Sequence, residues 1–217
     1  MPVLHRKGGS MAKAKKITGL DAQATTAKNA RMIASTRLEE FEQWGHYADE
    51  PQRVSELHNL RIAAKRLRYT LEIFADVLPS SVSNSIEEVT KIQEELGTIH
   101  DTDVMMALVR RCLEPVESHG DSSSRRTEIP KRHAARFEAG NEVEKQAMNE
   151  DVEISHSLLA SLVDVRGTLT DGERCGLEEL MNTLRDSRDT YYGEFQRHWH
   201  QLQEQNFSRM LSQQLAM

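Results

Sequence analysis

L-H-N-L-R-I-A-A-K-R-L-R-Y-T-L-E-I-F (57–74) contains neither Gly nor Pro and consists almost wholly of helix-forming residues. At about 100° per residue, Leu57, Leu60, Ala64, Leu67, Leu71 and Phe74 fall on one face, which predicts a helix with a core-facing stripe. His58, Arg61, Lys65, Arg68 and Glu72 form a neighbouring strip, centred roughly 100° from the apolar one. A strip that only solvates a helix lies opposite the core and mixes both signs of charge. Here four potential cations are answered by one acid, and each close like-charged pair costs about 0.2–0.5 kcal/mol. The pattern calls for something anionic, either acids on neighbouring helices or a ligand.

Working outward, a first helix is expected from about Ala24 to His46, with Ala27, Ala30, Ala34, Leu38, Phe41 and Trp44 on one face. Arg31 and Arg37 flank that face on either side, and Gly45 and Pro51 bracket the turn that follows. Beyond Pro79, Ser85-Ile-Glu-Glu88 reads as a capping box, and the third helix is expected to stop at Gly97. Asp101 then fits the cap of a fourth helix, with Asp103 near its positive end. Thr170-Asp-Gly-Glu173 is a further capping box, opening a long helix to about Gln205. Its inner stripe is expected to be Leu177, Met181, Leu184, Tyr191, Phe195 and Leu202. Arg188 falls inside that stripe, one turn after Arg185, and a cation there requires a partner.

The expected organisation is a basic mobile tail over 1–22, a helical domain over 23–207 and a C-terminal tail over 208–217. Within the domain, 115–130 reads as a linker or mobile loop from its two prolines and three consecutive serines, and 131–163 as acidic and weakly periodic. Few aromatics and sparse Gly and Pro favour an all-α class, with long antiparallel helices packed as a bundle.

The formal net charge of -6 argues against a general nucleic-acid binder. Its distribution is uneven: residues 1–78 hold 13 Lys/Arg against 9 Asp/Glu, leaving 15 against 25 for the remainder. Cys112 and Cys175 are the only cysteines and lie far apart, which suggests neither a disulfide framework nor a thiolate metal site. No apolar run approaches the ~18–20 residues of a membrane span, so a cytoplasmic protein without membrane association is expected.

Catalytic and metal patterns are weak. Of nine histidines, only Glu153-Ile-Ser-His156 has the Glu-x-x-His spacing of a di-iron bundle, and His198 and His200, two apart, point to different helix faces. No phosphate-binding glycine loop, G-x-S-x-G elbow, C-x-x-C pair or H-E-x-x-H occurs. No metal, cofactor or enzymatic activity is expected.

Two segments, 57–74 and I-Q-E-E-L-G-T-I-H-D-T-D-V (92–104), together resemble the CHAD family of conserved-histidine α-helical domains. The first is similar to that family's hallmark helix through His58, Arg61, Lys65, Arg66, Arg68 and Tyr69. The second resembles its L-G-x-x-x-D-x-x-V motif through Leu96, Gly97, Asp101 and Val104, and residues 184–199 resemble the final helix of shorter members. The resemblance covers about residues 17–207, with 115–175 matching poorly. It implies two pseudo-symmetric helical bundles around a basic central channel that binds inorganic polyphosphate without catalysis. His58, Arg61, Lys65 and Arg68 would line the channel from one half, Arg185 and Arg188 from the other, with Arg31 and Arg37 added from the first helix. A second H-x-x-R-x-x-x-[KR]-x-x-R helix, present in longer relatives, is missing from this chain. The expected role is polyphosphate binding in the cytoplasm, associated with polyphosphate granules. The alternatives are a helical scaffold or adaptor for an acidic protein partner, and regulation of a separate phosphate-processing enzyme.

Overall fold

In the computed structural model, which describes residues 14–113 and 169–216, the Thr25 hydroxyl accepts from the Lys28 N–H and starts α1, Thr26–Gly45. α2 follows over Val54–Ile73 and α3 over Val82–Leu113. α4 spans Asp171–Glu204 and α5 Phe207–Ala216, and the described residues include no strand. The capping box expected at Thr170 is present: its side chain accepts from the Glu173 N–H while the Glu173 carboxylate accepts from Thr170 N–H at 2.8 Å.

α2 lies between α1 and α3, α4 packs along α3, and α5 closes against α1, α3 and α4. Ala30 and Ala34 on α1 and Ala63 and Ala64 on α2 are fully buried, small side chains that let neighbouring helices approach. Leu60, Leu67 and Leu71 fill the interior with Ile92, Leu96, Ile99, Phe195 and Leu211. Each such side chain contributes about 1.5–3 kcal/mol by leaving water. Phe41 meets the Trp199 ring edge-on at 5.3 Å and Phe207 at 6.5 Å, which ties α1 to both C-terminal helices. Tyr192 donates to the Ala48 carbonyl at 2.7 Å, and burial pushes its phenol up to about 12, so it remains a donor.

Several expectations are corrected. α3 does not stop at Gly97, and Asp101 caps nothing: the helix runs unbroken through both. Val89, Ile92, Leu96, Ile99, Thr102 and Val109 continue one buried stripe across the glycine, and that packing outweighs the roughly 1 kcal/mol that a mid-helix Gly costs. Ser85 lies inside α3 rather than at its cap, buried against Gln214 of α5. On α4 the buried residues are Met181, Arg188, Tyr192, Phe195, Trp199 and Leu202; Tyr191 is exposed, because the inward face follows alternating steps of three and four from Arg188 onward. The expected C-terminal tail is instead α5, which buries Phe207, Leu211 and Leu215.

At the other end, residues from Lys15 on run along α1 rather than free of it. Lys15 pairs with Glu39, its carbonyl accepts from Arg37 at 3.1 Å, and Asp21 and Asn29 exchange two hydrogen bonds. One helical bundle is thus formed by the described residues; the expected linker at 115–130, the acidic stretch at 131–163 and Glu153-His156 lie outside them. No helix among the described residues is long and apolar enough to cross a membrane.

Two glycines separate close approach from mere permissiveness. A Cβ on Gly45 would sit 2.5 Å from Trp199 Cζ2 in the aromatic cluster, whereas one on Gly97 would meet only Arg61 Nε at 3.6 Å. Gly45→Ala is therefore expected to destabilise by about 1–3 kcal/mol through overpacking. Gly97→Ala should stabilise by about 0.5–1 kcal/mol through helix propensity, and urea unfolding midpoints of the two variants should move in opposite directions.

Candidate functional site

Because 3.6 residues make a turn, His58, Arg61, Lys65 and Arg68 all leave α2 on one flank, beside the stripe of Leu57, Leu60, Ala64, Leu67 and Leu71. All four are half-buried. α3 backs that flank. The His58 ring stacks on His100 with centroids 4.4 Å apart, and one turn on, Arg61 Nε lies beside Gly97, 3.6 Å from where a Cβ would sit. Arg68 lays its guanidinium over Tyr69 at 4.7 Å and keeps Nε 3.8 Å from Glu72, too far for a hydrogen bond. That Nε is buried and has no hydrogen-bond partner.

The other four candidates are distributed over different seams. Arg37 donates to Glu40 at 2.8 Å, and the other oxygen of this buried carboxylate accepts from Arg66 at 2.5 Å, so an Arg–Glu–Arg triad joins α1 to α2. By helical spacing Arg31 leaves α1 on the flank away from Arg37 and Glu40, and its Nε is buried without a hydrogen-bond partner. Arg188 has its anion inside the protein: Nε donates to Asp103 at 2.5 Å, and its Nη2 donates to the Pro51 carbonyl at 2.7 Å. Arg185, one turn earlier, is exposed and bonded to Asn182 at 3.3 Å. The structure therefore gathers His58, Arg61, Lys65 and Arg68 on one flank, commits Arg37 and Arg188 to acids of the bundle, and turns Arg185 outward.

Two groups escaped the sequence reading. His100 stands inside the quoted 92–104 motif, but a helix break expected at Gly97 hid its register with His58. Asp103, read as part of a helix start, is the partner of a residue 85 positions away. His198 and His200 do face different ways, His198 toward Glu88 and Glu95 and His200 toward Asp49 at 2.7 Å. The hydrogen bond from Gln196, together with that of His200, holds the Asp49 carboxyl below the usual carboxylate range. No three His, Cys, Asp or Glu among the described residues are grouped to hold a metal ion. Two surface grooves, one beside Glu42 and Arg209 and one beside Glu88 and His198, include no residue of the α2 strip.

Arg188 and Asp103 are 10% and 13% exposed, so removing one partner strands the other. Arg188→Met is expected to destabilise by about 3 kcal/mol, and Arg188→Met with Asp103→Leu should recover much of that loss in thermal or urea unfolding.

No curated protein and no solved structure matches the chain. A family model does: the CHAD domain, over residues 8–110. The matched segment takes in α1, α2 and nearly all of α3, the helices that carry and back the strip. Over these residues, 8–110, the chain is similar to the CHAD family.

Proposed function

We propose that the α2 flank binds inorganic polyphosphate, and that the protein is a binder rather than an enzyme. The observation that carries this reading is the alignment of His58, Arg61, Lys65 and Arg68 on one half-buried flank, backed by α3 through the His58–His100 stack and the contact of Arg61 beside Gly97. Polyphosphate is a thin chain with about one negative charge per phosphate, and side chains spaced by helical turns meet it as a row of donors. Guanidinium forks engage phosphate oxygens in pairs, and Lys65 adds a point charge. Donors already held beside a core lose less freedom on binding than those of a flexible tail.

The buried Nε of Arg68 supports the same reading, since a buried donor without an acceptor gains from an anion brought to it. The net charge of -6 fits a local basic strip on an acidic chain, which disfavours a broad nucleic-acid surface. The match of residues 8–110 to the CHAD domain agrees with a polyphosphate-related role. Arg31 belongs to the proposal as a second buried donor on α1, and Arg185 as an exposed cation of α4. Arg37 and Arg188, committed to Glu40 and Asp103, contribute positioning more than charge.

Arg61→Glu combined with Lys65→Glu is expected to weaken polyphosphate binding by about 100-fold or more, two charge-assisted hydrogen bonds together contributing about 3 kcal/mol. Calorimetric titration with long-chain polyphosphate, against tripolyphosphate and single-stranded DNA as competitors, reads this directly; unchanged affinity removes the assignment. Binding should also weaken steeply with added salt, and incubation with polyphosphate should release no orthophosphate.

A further inference from the structure

On the side of α3 that faces α4, a second polar cluster has no part in the strip. His198 of α4 reaches between two carboxylates of α3: Nδ1 lies 3.0 Å from Glu95 and Nε2 lies 2.9 Å from Glu88. Neutral imidazole carries one N–H, so it can donate to only one of them. Satisfying both requires the imidazolium, with a hydrogen bond on each nitrogen. We propose that His198, Glu88 and Glu95 form a proton-operated clasp that fastens the C-terminal part of α4, and α5 beyond it, to α3.

The charges around the ring support a switch. α3 contributes Glu88, Lys91 and Glu95; α4 contributes Glu194 and Arg197. Lys91 is engaged with Glu88 at 3.2 Å, and Arg197 Nε donates to the Gly193 carbonyl at 3.2 Å. The only charged residue of α5, Arg209, lies in the other groove with Glu42. Three carboxylates thus surround one imidazole, and loss of its proton leaves them repelling one another across the α3–α4 seam.

Burial opposes charge on the ring, but the hydrogen bonds to Glu88 and Glu95 outweigh it and raise the His198 pKa above 6.5. Its stabilising effect is therefore complete below 6.5 and lost as pH rises through the raised value. The hydrogen bond from His198 lowers the Glu88 pKa below 4.5, so that contribution is present above 4.5 and lost as pH falls through the lowered value. Burial raises Glu95, which makes that carboxylate the one most dependent on the imidazolium. The clasp is tightest in the window between these limits and opens on the alkaline side. The Arg188–Asp103 pair on the same seam contains no histidine, so opening is local to the Glu88–Glu95 end.

The test is thermal unfolding of the full chain between pH 6 and pH 9, at fixed ionic strength, for the wild type and His198→Gln. Across that range the wild type is expected to lose about 2–4 °C more than the variant, and hydrogen-exchange protection at 197–216, relative to the intrinsic base-catalysed rate at each pH, should fall with pH only in the wild type. Parallel pH profiles would overturn the clasp. Should His198→Gln fail to fold, the His198 ring of the wild type is followed by NMR, identified by its shift in Glu88→Gln. Titration above 6.5 supports the clasp, and titration at or below that value overturns it.

Discussion

A helix covered on both sides has no inexpensive place for a cation, and α2 is such a helix. With α1 on one flank and α3 on the other, each charged side chain that leaves it must either meet an acid or be held ready for one. Arg66 takes the first course through Glu40, which also collects Arg37. On the other flank the His58 ring stacks on His100, Arg61 lies beside Gly97, and Arg68 keeps a buried Nε without a hydrogen-bond partner. The same helix is thereby bonded to α1 by charge and lined up against α3 by shape.

The α3–α4 seam shows the complementary solution. Two polar links, Asp103–Arg188 and Glu88–His198–Glu95, sit along one pair of antiparallel helices, with Phe195 and Trp199 between α4 and the core. One link is an arginine–aspartate pair and the other depends on a histidine. Apolar contacts supply most of the stability of such a seam, while the buried polar pairs set which turn of α4 meets which turn of α3. A slip of one turn would leave Arg188 without its acid.

Legibility in the sequence followed locality. α2 and the start of α4 were readable because a run without breakers and a capping box act over one or two turns. Gly97 misled because a glycine that ends a helix and one carried inside a helix by the packing on either side look alike in sequence. The 191–192 register failed for a related reason: both residues are tyrosine, and only the position of α3 decides which turns inward. α5 was missed although Phe207, Leu211 and Leu215 recur every four residues, a short pattern that reads as tail without the groove that buries it. The eight candidate residues could be named from the sequence by type and helical spacing. Their division among three seams was not legible, because it depends on Glu40 and Asp103 meeting partners from other helices.

The ring contacts of Phe41 with Trp199 and Phe207 also bear on how the chain reaches this state. Helical bundles commonly fold fast because their contacts are local in sequence, but here the inner face of the first helix is completed by the last two, and Ala48 and Tyr192 meet across 144 positions. During synthesis, α1 to α3 leave the ribosome with that face uncovered, and it stays so while residues 114–168 are added. Completion of the first helix's inner face therefore waits on contacts that are distant in sequence, which cost more loop-closure entropy than the local contacts of the bundle.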